Sequence, residues 1–180
     1  MSDPVVRIAI VEYDPRWPSL FAVERAHLAA VLIRHVVSIE HIGSTAVPGL
    51  AAKPLVDILV TVVRLGASDA YVEPLGSLGY TFFPVLGNSD RYTFGKGLPH
   101  THHVHIVEHG GDEHLRPIAF RDYLRSHREV ARQYAALKRK LAARFHDNRR
   151  AYNAAKTDFI RSIEARALGR TGEDPAAGDV

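Results

Sequence analysis

The chain alternates short apolar runs with breaks rich in glycine, proline and polar residues, a pattern that predicts a mixed α/β domain. Residues 5–11 are β-branched and weakly alternating, which predicts a strand that suits a sheet edge. Asp14-Pro15-Arg16-Trp17-Pro18 interrupts it. Over residues 18–34, Phe21, Leu28, Val31 and Leu32 recur at helical spacing, predicting a helix packed on a sheet with Trp17 as a core or staple residue at its start. Residues 38–42 and 55–63 then read as two strands joined by a small-residue connection through Gly43-Ser44-Thr45 and Pro48-Gly49.

Beyond them, Ser68 is placed to cap a helix that reaches residue 78, weakened by Pro74 and ended by Gly79. Residues 80–83 and 91–94 predict short strands, with loops at 84–90 and 95–99. Residues 101–108 alternate cleanly, so that in a strand His103, His105 and Val107 share one face and His102, Val104 and Ile106 the other. The C-terminal third changes period. Leu115, Ile118, Ala119 and Leu124, then Val130, Tyr134, Leu137, Leu141 and Phe145, then Tyr152, Phe159, Ile160 and Ile163 predict three helices that cover the sheet. The fold class expected is therefore α/β (α+β): a mixed sheet of about five strands with an N-terminal helix and a C-terminal helical layer.

Composition narrows the function classes. With 180 residues and 46% hydrophobic content the chain suits one well-filled core. We expect a single domain over residues 1–168 and a disordered tail over 169–180, where Gly, Asp, Pro and Ala offer too little apolar bulk to offset the entropy of ordering. No window approaches the roughly 18 consecutive apolar residues of a membrane span, and residues 1–4 lack the features of a signal peptide. The expected setting is cytoplasmic, with no membrane partner. The absence of cysteine excludes disulfides, thiolate metal sites and cysteine nucleophiles. A formal net charge of +3 is compatible with an anionic ligand. No motif for stacking bases is present, so nucleic acid is not the expected partner; oligomeric state is left open.

The Gly43-Ser44-Thr45 turn is the first candidate for chemistry. It offers backbone N–H groups and two hydroxyls to an anion, and Gly43 has no Cβ to keep a phosphate away. Asp57, alone among apolar neighbours, is a candidate ligand for the metal that accompanies a polyphosphate.

The run Glu40-His41-Ile42-Gly43-Ser44-Thr45-Ala46-Val47-Pro48-Gly49-Leu50-Ala51-Ala52-Lys53-Pro54-Leu55-Val56-Asp57-Ile58 resembles the signature of the GrpB-like family, which is placed in the nucleotidyltransferase superfamily of the polymerase β type. Gly79-Tyr80, the histidine-rich residues 100–105, Phe120-Arg121-Asp122-Tyr123-Leu124, residues 134–138, Tyr152 and Lys156 also resemble the family pattern in order and spacing, so the likeness covers about residues 5–168. It implies a sheet of nucleotidyltransferase type. It also implies that Gly43, Ser44 and Thr45 hold a triphosphate, and that the strand carrying Asp57 holds catalytic metal. In that superfamily the strand reads acid, apolar, acid, which aims two carboxylates at a pair of Mg²⁺ ions. This chain departs from the pattern, because Leu59 stands where the second carboxylate belongs.

The histidine strand is where substitute ligands are sought. His103 and His105 could occupy the slot of a later carboxylate of the superfamily fold, and Asp57 with two imidazoles suits Mn²⁺, Fe²⁺ or Zn²⁺ better than Mg²⁺. Alternatively they donate to phosphate or lie on the surface, as we expect of His100, His102, His109 and His114. Of Glu40 and His41, which alternate, only one shares the face of the site. Glu40 is either a ligand or base or the ion-pair partner of a helix arginine; His41 is favoured as a supporting site residue. Lys53, Tyr152 and Lys156 are assigned to an anion pocket, Arg91 and Lys96 to loops that could close on it, and Arg121 to a structural contact. The expected function is metal-assisted nucleotidyl or related phosphoryl transfer to a small molecule. Asp57 and His105 would be its catalytic residues, Mg²⁺, Mn²⁺ or Zn²⁺ its cofactor and a nucleoside triphosphate its substrate. The alternative is a non-catalytic nucleotide- or CoA-binding module, for which Leu59 speaks. Similar domains are sometimes fused to dephospho-CoA kinase, which implies a place in coenzyme or nucleotide metabolism.

Overall fold

A computed structural model of the protein describes residues 7–32, 36–84 and 90–170. The strand β2 (Val56–Val62) is buried on both faces apart from the half-buried Asp57, as a strand inside a sheet covered on both sides must be. It pairs antiparallel with β1 (Val36–Ile42) and parallel with β5 (His102–Glu108). Beyond β5, β4 (Arg91–Lys96) and β3 (Tyr80–Phe83) add antiparallel strands, giving the order β1-β2-β5-β4-β3. The result is the mixed five-stranded α+β sheet expected from the alternation.

One face is closed by α1 (Trp17–Val31) and α2 (Asp69–Ser77). Leu28 and Leu75 pack there on Ile58, Val60, Phe94, Val104 and Ile106, all fully buried, and Trp17 joins the same cluster. Pro18 falls in the first turn of α1, where a missing N–H costs nothing. On the other face α3 (Asp112–Ser126) sets Ile118 against Ile42, Leu59 and Val107. It also packs through Phe120 and Leu124 with α4 (Arg128–Arg144), α6 (Thr157–Ala167) and Val47, Leu50 and Ala51 of the β1–β2 connection. Among the described residues no helix is long and apolar enough to cross a membrane.

Several boundaries differ from expectation. Of the expected first strand, residues 5 and 6 lie outside the described residues, and the rest forms only a single bridge, Val11 with Ala52. The segment is tied elsewhere: Ile8 N–H donates to His146 O at 2.8 Å, and Val11 and Ala52 exchange two bonds of 2.9 Å. It therefore laces the β1–β2 connection to the end of α4 and is not a sheet edge. The strand expected to stop at Phe94 continues through Lys96, because Gly95 pairs with both Thr81 and His103 and Lys96 with Tyr80 and His102. The third C-terminal helix is two, α5 (Arg149–Ala155) and α6, broken at Lys156. Asn148 starts α5 by accepting from Ala151 N–H at 2.9 Å. The helix expected to reach residue 34 ends at Val31, and Pro74 sits inside α2 without ending it. Residues 171–180 of the expected tail, residues 33–34 and residues 85–89 lie outside the described residues.

Candidate functional site

The parallel register of β2 and β5 sets Asp57 opposite His103 and Leu59 opposite His105, while β4 sets Thr93 opposite His105. All of these side chains share one face of the sheet. Asp57 Oδ1 lies 3.6 Å from a nitrogen of His103, Nδ1, and 3.8 Å from Nε2 of His105. The three potential ligand atoms lie within 4.8 Å of one another, and this is the one such group of His, Asp and Glu among the described residues. The outer ring nitrogens are engaged too: His105 Nδ1 is 3.2 Å from Thr93 Oγ1, and His103 Nε2 is 3.3 Å from His100 Nδ1. Such outer partners aim the inner nitrogens at a common point. Burial pushes the Asp57 carboxyl up, but the facing imidazoles of His103 and His105 outweigh it and hold the group well below the usual carboxylate range.

Gly43 makes this carboxylate possible, a role the sequence did not reveal. Its φ of 70° and ψ of −170° are open to glycine alone, and a Cβ there would fall 2.6 Å from Asp57 Oδ2. The glycine makes room for the aspartate. Gly43→Ala should cost about 1–3 kcal/mol from the backbone alone and weaken metal binding by moving Asp57. Urea denaturation and metal titration of the one variant test both effects; unchanged metal affinity would detach the turn from the carboxylate.

This cluster lines a cavity of about 590 Å³ together with Ser44, Lys53, Lys138, Arg149, Tyr152 and Lys156. The Tyr152 ring is fully buried, with Lys53 Nζ 4.8 Å and Lys156 Nζ 4.9 Å from its centroid. Burial, and then the nearby cations Lys156 and Arg149, push Lys53 down to about 8. Burial likewise lowers Lys156, and Lys138 is pushed down to about 7. Ammonium groups crowded in this way favour an anionic ligand, which would relieve their repulsion. A larger groove of about 930 Å³ lies between the β1–β2 connection and α4, but its Arg132 and Arg139 are paired with Glu129 and Glu12, and it holds no carboxylate–imidazole cluster.

The structure thus brings Asp57, His103, His105, Ser44, Lys53, Tyr152 and Lys156 to one cavity. Thr45 and His41 stand behind its wall. His41 faces the opposite side of the sheet, stacked on Phe21 at 4.9 Å between centroids. Burial pushes it down to about 4, so the ring is neutral near pH 7. Thr45 spends its hydroxyl proton on Leu55 O at 3.2 Å, so His41 Nε2–H must be the donor in their 2.9 Å bond. The pair braces the turn. Glu40 accepts from Arg121 Nη1 at 2.9 Å, so the ion pair is the role realised of the two expected for it. Lys96 is not on a closing loop: its ammonium donates to the buried Glu24 at 2.9 Å on the other face. Arg91 does line the cavity, paired with Glu113 at 3.0 Å.

Two of the cavity's cationic residues were not assigned to the site from the sequence. Lys138, which the sequence offered only within the family likeness of residues 134–138, is 2% exposed and donates to Ser44 Oγ at 2.9 Å and to Ala51 O. Its signal was its position: it follows Tyr134 by four residues and precedes Leu141 by three, inside the apolar stripe of α4. Arg149, in the first turn of α5, carries no such signal.

Comparison with known proteins agrees over nearly the whole chain. Residues 7–166 match the family described as GrpB protein. The chain is 41% identical to a UPF0157 protein of Pseudomonas aeruginosa, over 92% of this chain and 69% of that one. It is 36% identical to the UPF0157 protein YqkA of Bacillus subtilis, over 98% of this chain but only 52% of the relative. The chain thus spans about half the length of the latter. A dephospho-CoA kinase of Mycolicibacterium paratuberculosis is 28% identical over 89% of this chain and 46% of its own. Among solved structures, the conserved protein GrpB from Enterococcus faecalis superposes with a TM-score of 0.83 at 38% identity, over 92% of this chain and all of that one.

Proposed function

The chain belongs to the GrpB protein family, and we propose that it is a metal-assisted phosphoryl- or nucleotidyl-transfer enzyme acting on a small phosphorylated molecule. One observation carries this reading: the Asp57–His103–His105 cluster and the amines of Lys53, Lys138 and Lys156 face the same cavity. One carboxylate oxygen and two imidazole nitrogens fit Mn²⁺, Fe²⁺ or Zn²⁺ better than Mg²⁺, which prefers oxygen ligands. Asp57, His103 and His105 would hold such an ion, which when bound polarises a phosphoryl oxygen. The chain's own cations do the rest. Lys53, Lys156 and Arg149 neutralise and orient the phosphates, and the acceptor's hydroxyl or amine is brought to the phosphorus in that fixed frame. The likeness to part of a dephospho-CoA kinase supports a ligand from the coenzyme or nucleotide class.

A second reading is a nucleotide- or CoA-binding module without transfer chemistry, and Leu59 in place of a second carboxylate favours it. Pyrophosphate release separates the two. The chain is incubated with nucleoside triphosphates and a mixed panel of small acceptors, across Mg²⁺, Mn²⁺, Zn²⁺ and Fe²⁺. We expect sustained release with Mn²⁺ or Zn²⁺ that vanishes in Asp57→Ala while the variant stays folded. Nucleotide bound by the chain yet recovered intact under every metal would favour the module.

A further inference from the structure

Ser44 and Lys138 form a pair that metal-centred chemistry leaves unused. Ser44 opens the short 3-10 turn after β1 and lines the cavity, while Lys138 stands on the buried stripe of α4. Lys138 Nζ lies 2.9 Å from Ser44 Oγ, 2.5 Å from Ala51 O and 4.6 Å from the centroid of the Tyr134 ring. A carbonyl oxygen only accepts, so Ala51 takes one N–H of the lysine and fixes the direction of Nζ. In the neutral amine the lone pair is then left for the Ser44 hydroxyl proton. The buried Tyr134 ring under Lys138 Nζ keeps the amine away from solvent on a further side. A nucleophile at a cavity wall, a base behind it and a third group orienting the base is the arrangement that activates serine in Ser–Lys enzymes.

We propose that Ser44 is a nucleophile toward a phosphoryl centre bound between Lys53, Lys156 and Arg149, with Lys138 accepting its proton. In its substrate class this rests on the phosphoryl-transfer reading, to which it adds a covalent station for the transferred group. The Ser44 Oγ–P bond forms as the bond from phosphorus to the leaving group breaks. The bonding electrons depart with the leaving group, and the Oγ proton passes to Lys138 Nζ. The acceptor's hydroxyl or amine then bonds to phosphorus as the Ser44 Oγ–P bond breaks, its own proton leaving to solvent while Lys138 returns the first proton to Oγ. The surroundings suit Lys138 to this role: burial, and then Lys156, Arg139 and Lys53, push it down to about 7, so a large share is neutral amine near pH 7. Tyr134, raised by its own burial, stays protonated in that range.

The test uses a fluorophosphonate, an electrophile that reports serine nucleophilicity without added metal or nucleotide. The full chain should acquire one adduct on Ser44, located by peptide mass spectrometry, with fluoride displaced. Its rate should climb with pH through about 7 and level off as Lys138 loses its proton. Lys138→Met should slow labelling about 100-fold or more, the scale of general-base catalysis. Lys138→Arg, which keeps the charge but cannot accept a proton, should be slow as well and decides the matter if the Met variant does not fold. A folded wild type without an adduct on Ser44, or equal labelling rates in wild type and a folded Lys138 variant, overturns the proposal. Pyrophosphate release with Ser44 unlabelled would defeat the covalent step and leave the transfer reading standing. Ser44 labelling without nucleotide binding would support the pair and defeat the nucleotide reading instead.

Discussion

Replacing Asp57, His103 or His105 singly by alanine should abolish divalent-metal binding as read by calorimetry, with affinity falling by at least about 100-fold. The expectation follows from the count of ligands. The three groups within 4.8 Å of one another are all the ligands proposed for the ion among the described residues, so each variant would leave only two. Loss even of an outer-sphere partner costs about 10–100-fold in metal affinity, so Thr93→Val, which removes the hydroxyl beside His105 Nδ1, should give a graded loss within that range. Binding should also weaken as pH falls, because protons compete for the nitrogen lone pairs. The arrangement would be refuted by a metal isotherm that stays the same in any of the three alanine variants.

Leu59→Asp should destabilise the fold by at least about 3 kcal/mol, through lost leucine packing and an unpaired buried carboxyl. Leu59 is 1% exposed and packs with Ile42 and Val107 under Ile118 of α3. The residues across from it are Glu40 on β1, already held by Arg121, and His105 on β5, already engaged by Thr93 and Asp57. The second carboxylate position is thus part of a core, and an acid placed there cannot simply restore a two-ion clamp. The midpoint of urea denaturation should shift accordingly, with Leu59→Met as the volume-conserving control costing less than about 1.5 kcal/mol. Suppose instead that Leu59→Asp unfolds within about 1 kcal/mol of wild type and binds Mn²⁺ or Mg²⁺ more tightly. Then the apolar roof over this position is looser than its burial shows, and the single-ion site loses its main support.

Much of the architecture was legible in local pattern. Strict alternation in residues 101–108 separated His103 and His105 from Val104 and Ile106, because side chains in a strand point to opposite faces at a period of two. The same period put Leu59 beside Asp57. Residues 7–11 misled because their β-branched content expresses a local preference, while their N–H and C=O groups found partners in the β1–β2 connection and after α4. Lys156 was assigned to the anion pocket, but the helix break that presents it was hidden, since Tyr152, Phe159, Ile160 and Ile163 fit one helix or two.

What the sequence alone determined about this protein is most of its elements, the face each apolar residue seeks, and an Asp-bearing strand and a two-histidine strand as candidate chemistry. These follow from periodicity and from the donor types of a few side chains. Which side of the sheet His41 faces, that Glu40 meets Arg121, and that Gly43 yields space to Asp57 were decided only by tertiary structure. So was the convergence of Lys53, Lys138, Arg149 and Lys156 on one cavity. Each of these depends on contacts between segments far apart in the chain, and above all on the parallel register that sets Asp57 opposite His103. A lysine on an apolar stripe can be seen in one dimension, but the serine it meets, 94 residues away, cannot.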